Sequence, residues 1–192
     1  MKLMEQMILR EGKVLPGGIL KVGSFLNQQI DTDLLAAMGE EIRNLYEGQG
    51  VTKILTIESS GIAIAAAAGM AMGVPVVFAK KHKTSNVDGA VFTAVVHSFT
   101  HGTDYNVVVS RDYISPEDRV LLVDDFLASG SALEGLMELV DAAGADLVGV
   151  AIAIEKCFQG GGDELRSRGV RIESLALIDS MDDLGGITFR EQ

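Results

Sequence analysis

Short aliphatic runs alternate with stretches of helical period along the 192 residues. Residues 52–57, TKILTI, read as a strand. Residues 61–72, GIAIAAAAGMAM, read as a helix whose small side chains let it pack close to its neighbours. Gly73 and Pro75 stop that helix, and 75–79, PVVFA, is a second strand. Residues 106–109 and 120–123 add two more strands, and 147–154 and 172–177 complete the set. Between them, 131–143 places Leu133, Leu136, Met137 and Val140 on one helical face. Near-continuous aliphatic strands separated by helices predict a parallel sheet flanked by helices, an α/β fold. No repeat, low-complexity tract or Pro/Ser-rich linker interrupts the pattern, so one domain over 1–192 is expected. The exception is a long polar stretch from residue 81 to 105, where VFTAVV at 91–96 alternates enough for a projecting hairpin. Segments of this length inside compact domains are often lids.

In open parallel sheets, ligands bind beyond the carboxyl ends of the strands. One such end is VLLVDDFLASGSA, residues 120–132, where a strand closes on Asp124 and Asp125 and a small hydroxylated loop follows. Helix capping explains part of it, because Ser131 and Glu134 have capping-box spacing. Capping leaves the two acids unexplained, and buried acids are costly unless they meet hydroxyls, a cation or water. The backbone N–H groups of Ala128, Ser129, Gly130, Ser131 and Ala132, two hydroxyls and a helix dipole together suit a phosphate monoester. The acids then suit the vicinal diol of a sugar, a bound magnesium, or both. No lysine follows as in a Walker loop and no G-x-G-x-x-G is present, so a sugar phosphate fits better than a nucleoside triphosphate.

Composition narrows the partners. The chain is 47% hydrophobic and 22% charged, ordinary for a soluble domain, and its net charge of −11 argues against non-specific nucleic-acid binding. Residues 62–79 carry no charge, but Gly73-Val74-Pro75 divides them, so no membrane span is expected. The N-terminal MKLMEQMILREGK carries charges through its apolar positions, unlike a signal peptide; Met4, Met7 and Ile8 stand at helical spacing and suit a core or a dimer contact. A single cysteine, Cys157, forms no internal disulfide, which fits a reducing, cytoplasmic setting. The acidic balance is at odds with an anionic ligand until Lys80, Lys81 and Lys83 are noticed, a local reversal of sign at the end of the second strand. His97 and His101 stand four apart without the glutamate of H-E-x-x-H, and no protein-held metal site is expected.

The 120–132 stretch resembles the signature of the type I phosphoribosyltransferases. That resemblance implies that Ala128, Ser129, Gly130, Ser131 and Ala132 bind the 5-phosphate of phosphoribosyl pyrophosphate (PRPP) and that Asp124 and Asp125 face its ribose hydroxyls. Glu58, Ser59, Ser60 and Gly61 then match the family's pyrophosphate loop, with Lys80 and Lys81 beside it. Relatives often carry Arg at the place of Lys80, so Lys81 is the stronger expectation; Lys81, Asp124 and Asp125 form the expected catalytic set. VLPGGILKVGSFLNQQID at 14–31 resembles the base-binding hood of bacterial xanthine phosphoribosyltransferases, which implies a purine pocket of Leu20, Asn27 and Lys156. Two plainer readings of the EKCF run stay open: a Glu155–Lys156 ion pair, and Phe158 as either a stacking face or core. The implied fold has a small hood, 14–31 with a C-terminal part, and a flexible lid near 83–105. The implied activity is transfer to xanthine, with adenine or hypoxanthine/guanine as alternative acceptors. Magnesium bound mainly through PRPP, a homodimer and a cytoplasmic location are implied with it. A PRPP-sensing regulator on the same fold would need a DNA-binding appendage, and only about one helix of chain precedes residue 14.

Overall fold

The structure is a computed structural model and describes residues 1–81, 90–98, 103–182 and 184–191. Helix α1 (Lys2–Glu11) leads into a hairpin of β1 (Lys13–Leu15) and β2 (Ile19–Lys21), then a π-helical turn at Gly23–Asn27. Next come α2 (Thr32–Leu45), β3 (Lys53–Ile57), α3 (Gly61–Met72) and β4 (Val76–Ala79). A second hairpin, β5 (Val91–Ser98) with β6 (Thr103–Ser110), precedes β7 (Arg119–Leu127) and α4 (Ser131–Ala142). The chain ends with β8 (Asp146–Lys156), a 3₁₀ turn at Cys157–Gln159, α5 (Gly161–Ser167), β9 (Ile172–Met181) and β10 (Ile187–Phe189).

Six strands form one sheet in the order β10-β9-β8-β7-β3-β4, all neighbours parallel except the edge strand β10. The aliphatic runs are continuous because both faces are covered. Leu121, Val123, Ala151 and Ala153 pack with α1, α2 and α3, while Val120, Leu122, Val150 and Ile152 pack with α4 and the β5–β6 hairpin. Met4, Met7 and Ile8 are buried in the first of these layers. Close approach of α2 and α3 depends on Gly39, where a Cβ would lie 2.7 Å from the Ala67 carbonyl. Asp31 starts α2 by accepting the N–H groups of Asp33 and Leu34. No helix among the described residues is long and apolar enough to cross a membrane.

Three expectations need correction. Residues 106–109 are not a strand of the parallel sheet; they belong to β6 in the antiparallel hairpin. They look like a core strand because Val107 and Val109 bury against the α4 layer, while Val108 is buried where its backbone bridges Lys80 at the sheet edge. Strand β7 does not end at the two acids; it runs on to Leu127, pairing Asp124 with Ile152 and Phe126 with Ile154. The Ser131 capping box does not form. Gly130 is the N-cap of α4, at φ +92°, so Ser131 already lies inside the helix and the Glu134 carboxylate pairs with Arg168 at 2.7 Å. The expected lid falls partly outside the described residues, at 83–89 and 99–102; its described part is the hairpin.

Candidate active site

The carboxyl ends of β3, β4, β7 and β8 bring the candidate residues to one edge of the sheet. At the end of β7, Asp124 is almost fully buried, and its Oδ1 accepts the Asp125 N–H at 2.9 Å. Asp125 is partly buried, its Oδ1 accepts the Phe126 N–H at 3.0 Å, and the Ser60 side chain also hydrogen-bonds it. Burial, and then the like charge of Asp125, hold the Asp124 carboxyl well above the usual carboxylate range, although Lys81 pulls the other way. Burial also raises Asp125. Two carboxyls this short of countercharge are set to accept hydroxyl protons or a cation.

The turn from β3 into α3 presses against this pair. Gly61 opens the helix, and a Cβ there would lie 2.8 Å from Asp124 Oδ1 and overlap the Thr56 hydroxyl. That Thr56 hydroxyl is buried with no hydrogen-bond partner among the described residues. No side chain caps α3 at Ser60, so apart from the Ile62 N–H, which donates to the Ser59 carbonyl at 3.2 Å, the start of the helix is open to an anion. The Glu58–Ser59 peptide is cis. The Glu58 carboxylate accepts the Lys81 N–H at 2.7 Å, tying the two strand ends together. The Lys81 ammonium lies 5.4 Å from the Tyr105 ring centroid, and both Lys81 and Tyr105 act electrostatically on Asp124 or feel it. Lys80 is placed differently. Its backbone bridges Val108, and it lines a groove of about 690 Å³ with Phe78 and Tyr113.

The loop after β7 is held from behind. The Ala128 carbonyl accepts the Gly161 N–H at 3.1 Å, and Ser129 Oγ lies 3.2 Å from Ser131 Oγ. No side chain caps α4, so the loop combines two paired hydroxyls with free first-turn amides, followed by Ala132 inside the helix. At the end of β8, Lys156 donates to the Gly18 carbonyl at 2.8 Å and sits 5.5 Å from the Phe126 ring centroid. Burial lowers the pKa of its ammonium. The expected alternative, a Glu155–Lys156 pair, does not exist: Glu155 pairs with Arg166 instead, at 2.7 Å through both oxygens. Neighbouring strand residues point to opposite faces, which separates the two side chains.

The segment 14–31 therefore reaches β8 through Gly18, beside which the ring of half-exposed Phe158 packs. Leu20 is buried, Asn27 is exposed on the π-helical turn, and neither hydrogen-bonds Lys156 among the described residues. Phe126 and Tyr105 were not singled out from sequence. Phe126 stood directly after the acids, and its position within a strand paired to β8 was the signal for a ring near Lys156. His97 pairs with Asp104 at 2.6 Å on the hairpin, and His101 lies outside the described residues. Among the described residues no three His, Cys, Asp or Glu side chains converge as a metal cluster. Cys157 is buried, and burial pushes its thiol up to about 11, which leaves it inert near neutral pH.

The sequence profile of the phosphoribosyl transferase domain family matches residues 22–181. A xanthine phosphoribosyltransferase of Lachnoclostridium phytofermentans is 48% identical over 191 residues, covering 99% of this chain and 98% of the relative. One from Latilactobacillus sakei is also 48% identical, over 192 residues, covering 100% and 98%; one from Lactiplantibacillus plantarum is 50% identical over 182 residues, covering 95% and 93%. Among solved structures, the adenine phosphoribosyltransferase of Thermoanaerobacter pseudethanolicus superposes with a TM-score of 0.74 at 21% identity, covering 91% of this chain and 98% of that one. That likeness establishes the type I fold and no more.

Proposed function

This chain belongs to the phosphoribosyl transferase family, and we infer that within it the chain is a xanthine phosphoribosyltransferase, moving the phosphoribosyl group of PRPP to N9 of xanthine. It is an enzyme of the pentosyltransferase class. The observation that carries the acceptor is the kinship with xanthine enzymes along nearly the whole length, hood segment included.

The geometry supports a division of labour. The uncapped loop Ala128-Ser129-Gly130-Ser131-Ala132 takes the 5-phosphate, and Asp124 and Asp125 accept the ribose hydroxyls. The amides of Ser59, Ser60 and Gly61, with Lys81, grip the pyrophosphate; the Glu58 N–H is already given to the Ala79 carbonyl at 3.0 Å, so Glu58 contributes by holding the Lys81 N–H through its carboxylate, and Lys80 adds charge from the neighbouring edge. The bond from the anomeric carbon to the pyrophosphate oxygen breaks, the bond to N9 forms, and the N9 proton leaves. Positive charge at the anomeric carbon and negative charge on the leaving oxygens develop together, so fixed donors at the leaving group stabilise the transition state. The two under-compensated carboxyls would help hold a magnesium that the substrate oxygens and water otherwise carry. When bound, that ion neutralises the leaving pyrophosphate. Lys156, between the Phe126 ring and the Gly18 carbonyl of the hood, offers a cationic donor to a 6-oxopurine, with Leu20 and Asn27 of the same hood completing the pocket in this reading, and leaves the amino group of adenine without a partner. The same reading makes the protein a cytoplasmic homodimer; light scattering on the purified protein checks the dimer.

The test is a purified-protein assay with PRPP, magnesium and each purine in turn. Xanthine is expected to be the best acceptor; preference for adenine would overturn the assignment, and PRPP binding without turnover on any purine would favour a sensor. Lys156→Met is expected to lower kcat/KM for xanthine roughly tenfold or more, the worth of one hydrogen bond to a charged group, without changing PRPP affinity. Unchanged xanthine kinetics would reduce Lys156 to a tether for Gly18.

A further inference from the structure

One buried charge has no place in the division of labour above. Glu155, the penultimate residue of β8, is fully buried. Its Oε1 accepts from Arg166 Nη1 at 2.7 Å, and its Oε2 accepts from Arg166 Nη2 at 2.7 Å and from Ser174 Oγ at 2.5 Å. A buried ion pair seldom adds stability over well-packed apolar groups of the same size, so its presence calls for another explanation.

The pair touches both halves of the candidate active site. On one side, Glu155 immediately precedes Lys156, so whatever anchors the end of β8 also sets where that ammonium stands beside Gly18 and Phe126. On the other side, Arg166 belongs to α5, and α5 is the rear wall of the loop after β7. Gly161 donates to the Ala128 carbonyl, and a Cβ on Gly161 would overlap the Ala128 and Ser129 carbonyls. A Cβ on Gly130 would meet the Leu165 side chain at 3.3 Å. Gly162 in turn lies so close to the Glu155 carboxylate that no side chain fits between them. A helix of 7 residues has little stability of its own and takes its position from such contacts.

We propose that the Arg166–Glu155 fork, braced by Ser174, is a positioning device for the reaction: it clamps α5 behind loop 128–132 and the end of β8 beneath Lys156, fixing the spacing between the sugar-phosphate and purine sites. The proposal rests on the phosphoribosyl-transfer reading. The planar guanidinium is what makes the clamp, because its two parallel hydrogen bonds fix orientation as well as distance, and an ammonium holds only a point. Arg166 and Glu155 are positioning residues, acting through the loop and through Lys156.

The test uses full-length Arg166→Lys, Arg166→Ala and Ser174→Ala, assayed well below the Tm of each. Arg166→Lys is expected to raise KM for both PRPP and xanthine about tenfold and to lower kcat, since misplacement by about 1 Å can cost on the order of a hundredfold in rate. Calorimetry should show weakened PRPP binding in the same variant. Millimolar guanidinium should restore part of kcat/KM in Arg166→Ala, which the partial exposure of this side chain permits. A lowered Tm with unchanged KM, kcat and PRPP affinity in Arg166→Lys and Ser174→Ala would overturn the proposal. If Arg166→Ala does not fold, those two variants decide it. A wild type that binds PRPP but turns over no purine would sink the reaction reading instead; unchanged PRPP affinity in Arg166→Lys would still sink the clamp.

Discussion

Asp124 sits where a carboxylate is least comfortable, buried beside a second acid and under the start of a helix with no side chain to shield it. Because its folded pKa is raised, the folded protein holds this proton more tightly than the unfolded chain does. The stabilising contribution is therefore full on the acid side and is lost as pH rises through the folded pKa. Asp124→Asn is expected to raise the Tm of the ligand-free protein near neutral pH, by about 2–4 °C for each kcal/mol recovered. The gain should shrink towards acid, where the wild-type carboxyl is itself neutral; scanning calorimetry across pH reads it. The same variant is expected to lose about tenfold to hundredfold in kcat/KM for PRPP, the worth of a hydrogen bond to a charged acceptor. A Tm that falls with the substitution at neutral pH would mean that the acid is a structural anchor.

At the scale of elements, the turn from β3 into α3 packs tightly against the acid pair. Gly61→Ala has nowhere to place its methyl group except against Thr56 and Asp124, so it is expected to cost about 1–3 kcal/mol and to weaken pyrophosphate binding along with it. Chemical denaturation and product-inhibition kinetics measure the two effects; an unchanged stability would show that the helix start shifts freely. Elements of this kind were legible in advance. The helix over Gly61–Met72 was bounded by Gly73, which takes φ +70° at its end, and the strands at 52–57, 75–79 and 147–154 were bounded within about two residues. What was not legible was partnership. Three successive buried valines look alike in a parallel sheet and in a hairpin lying against α4, because burial is written into the residues and the neighbour is not. Ser131 likewise had the right spacing for a cap, yet Gly130 took that position with a left-handed φ that a serine avoids. Lys156 was singled out through a resemblance to base pockets, whereas Arg166, which anchors the adjacent Glu155, is 11 positions from it and nothing local marks it.

For the whole molecule, net charge and site charge pull apart: a chain of net −11 is read as binding a strongly anionic donor. On the proposed reading, Lys81, two helix starts and a magnesium brought by the donor would make that local exception. The consequence is a ligand whose stabilising effect depends on the metal. PRPP with magnesium is expected to raise the global unfolding free energy by about 2.7 kcal/mol at a hundred times Kd, and chelation of the metal should remove most of that shift. Equal thermal shifts with and without magnesium would argue that the protein's own groups carry the whole charge of the donor.

Strands β7 and β8 bury aliphatic side chains on both faces. In a sheet with one wet face, a slip of one residue turns the apolar set outward and is rejected at once. Here the same slip would leave aliphatics against aliphatics on either side, and hydrophobicity alone would hardly resist it. The polar groups at the strand ends do resist it. Sliding β8 by one position would pull Glu155 off Arg166 and Ser174 and leave a bare charge in the core. The residues proposed to hold the substrates' places are thus also the ones whose broken contacts would penalise a misregistered strand.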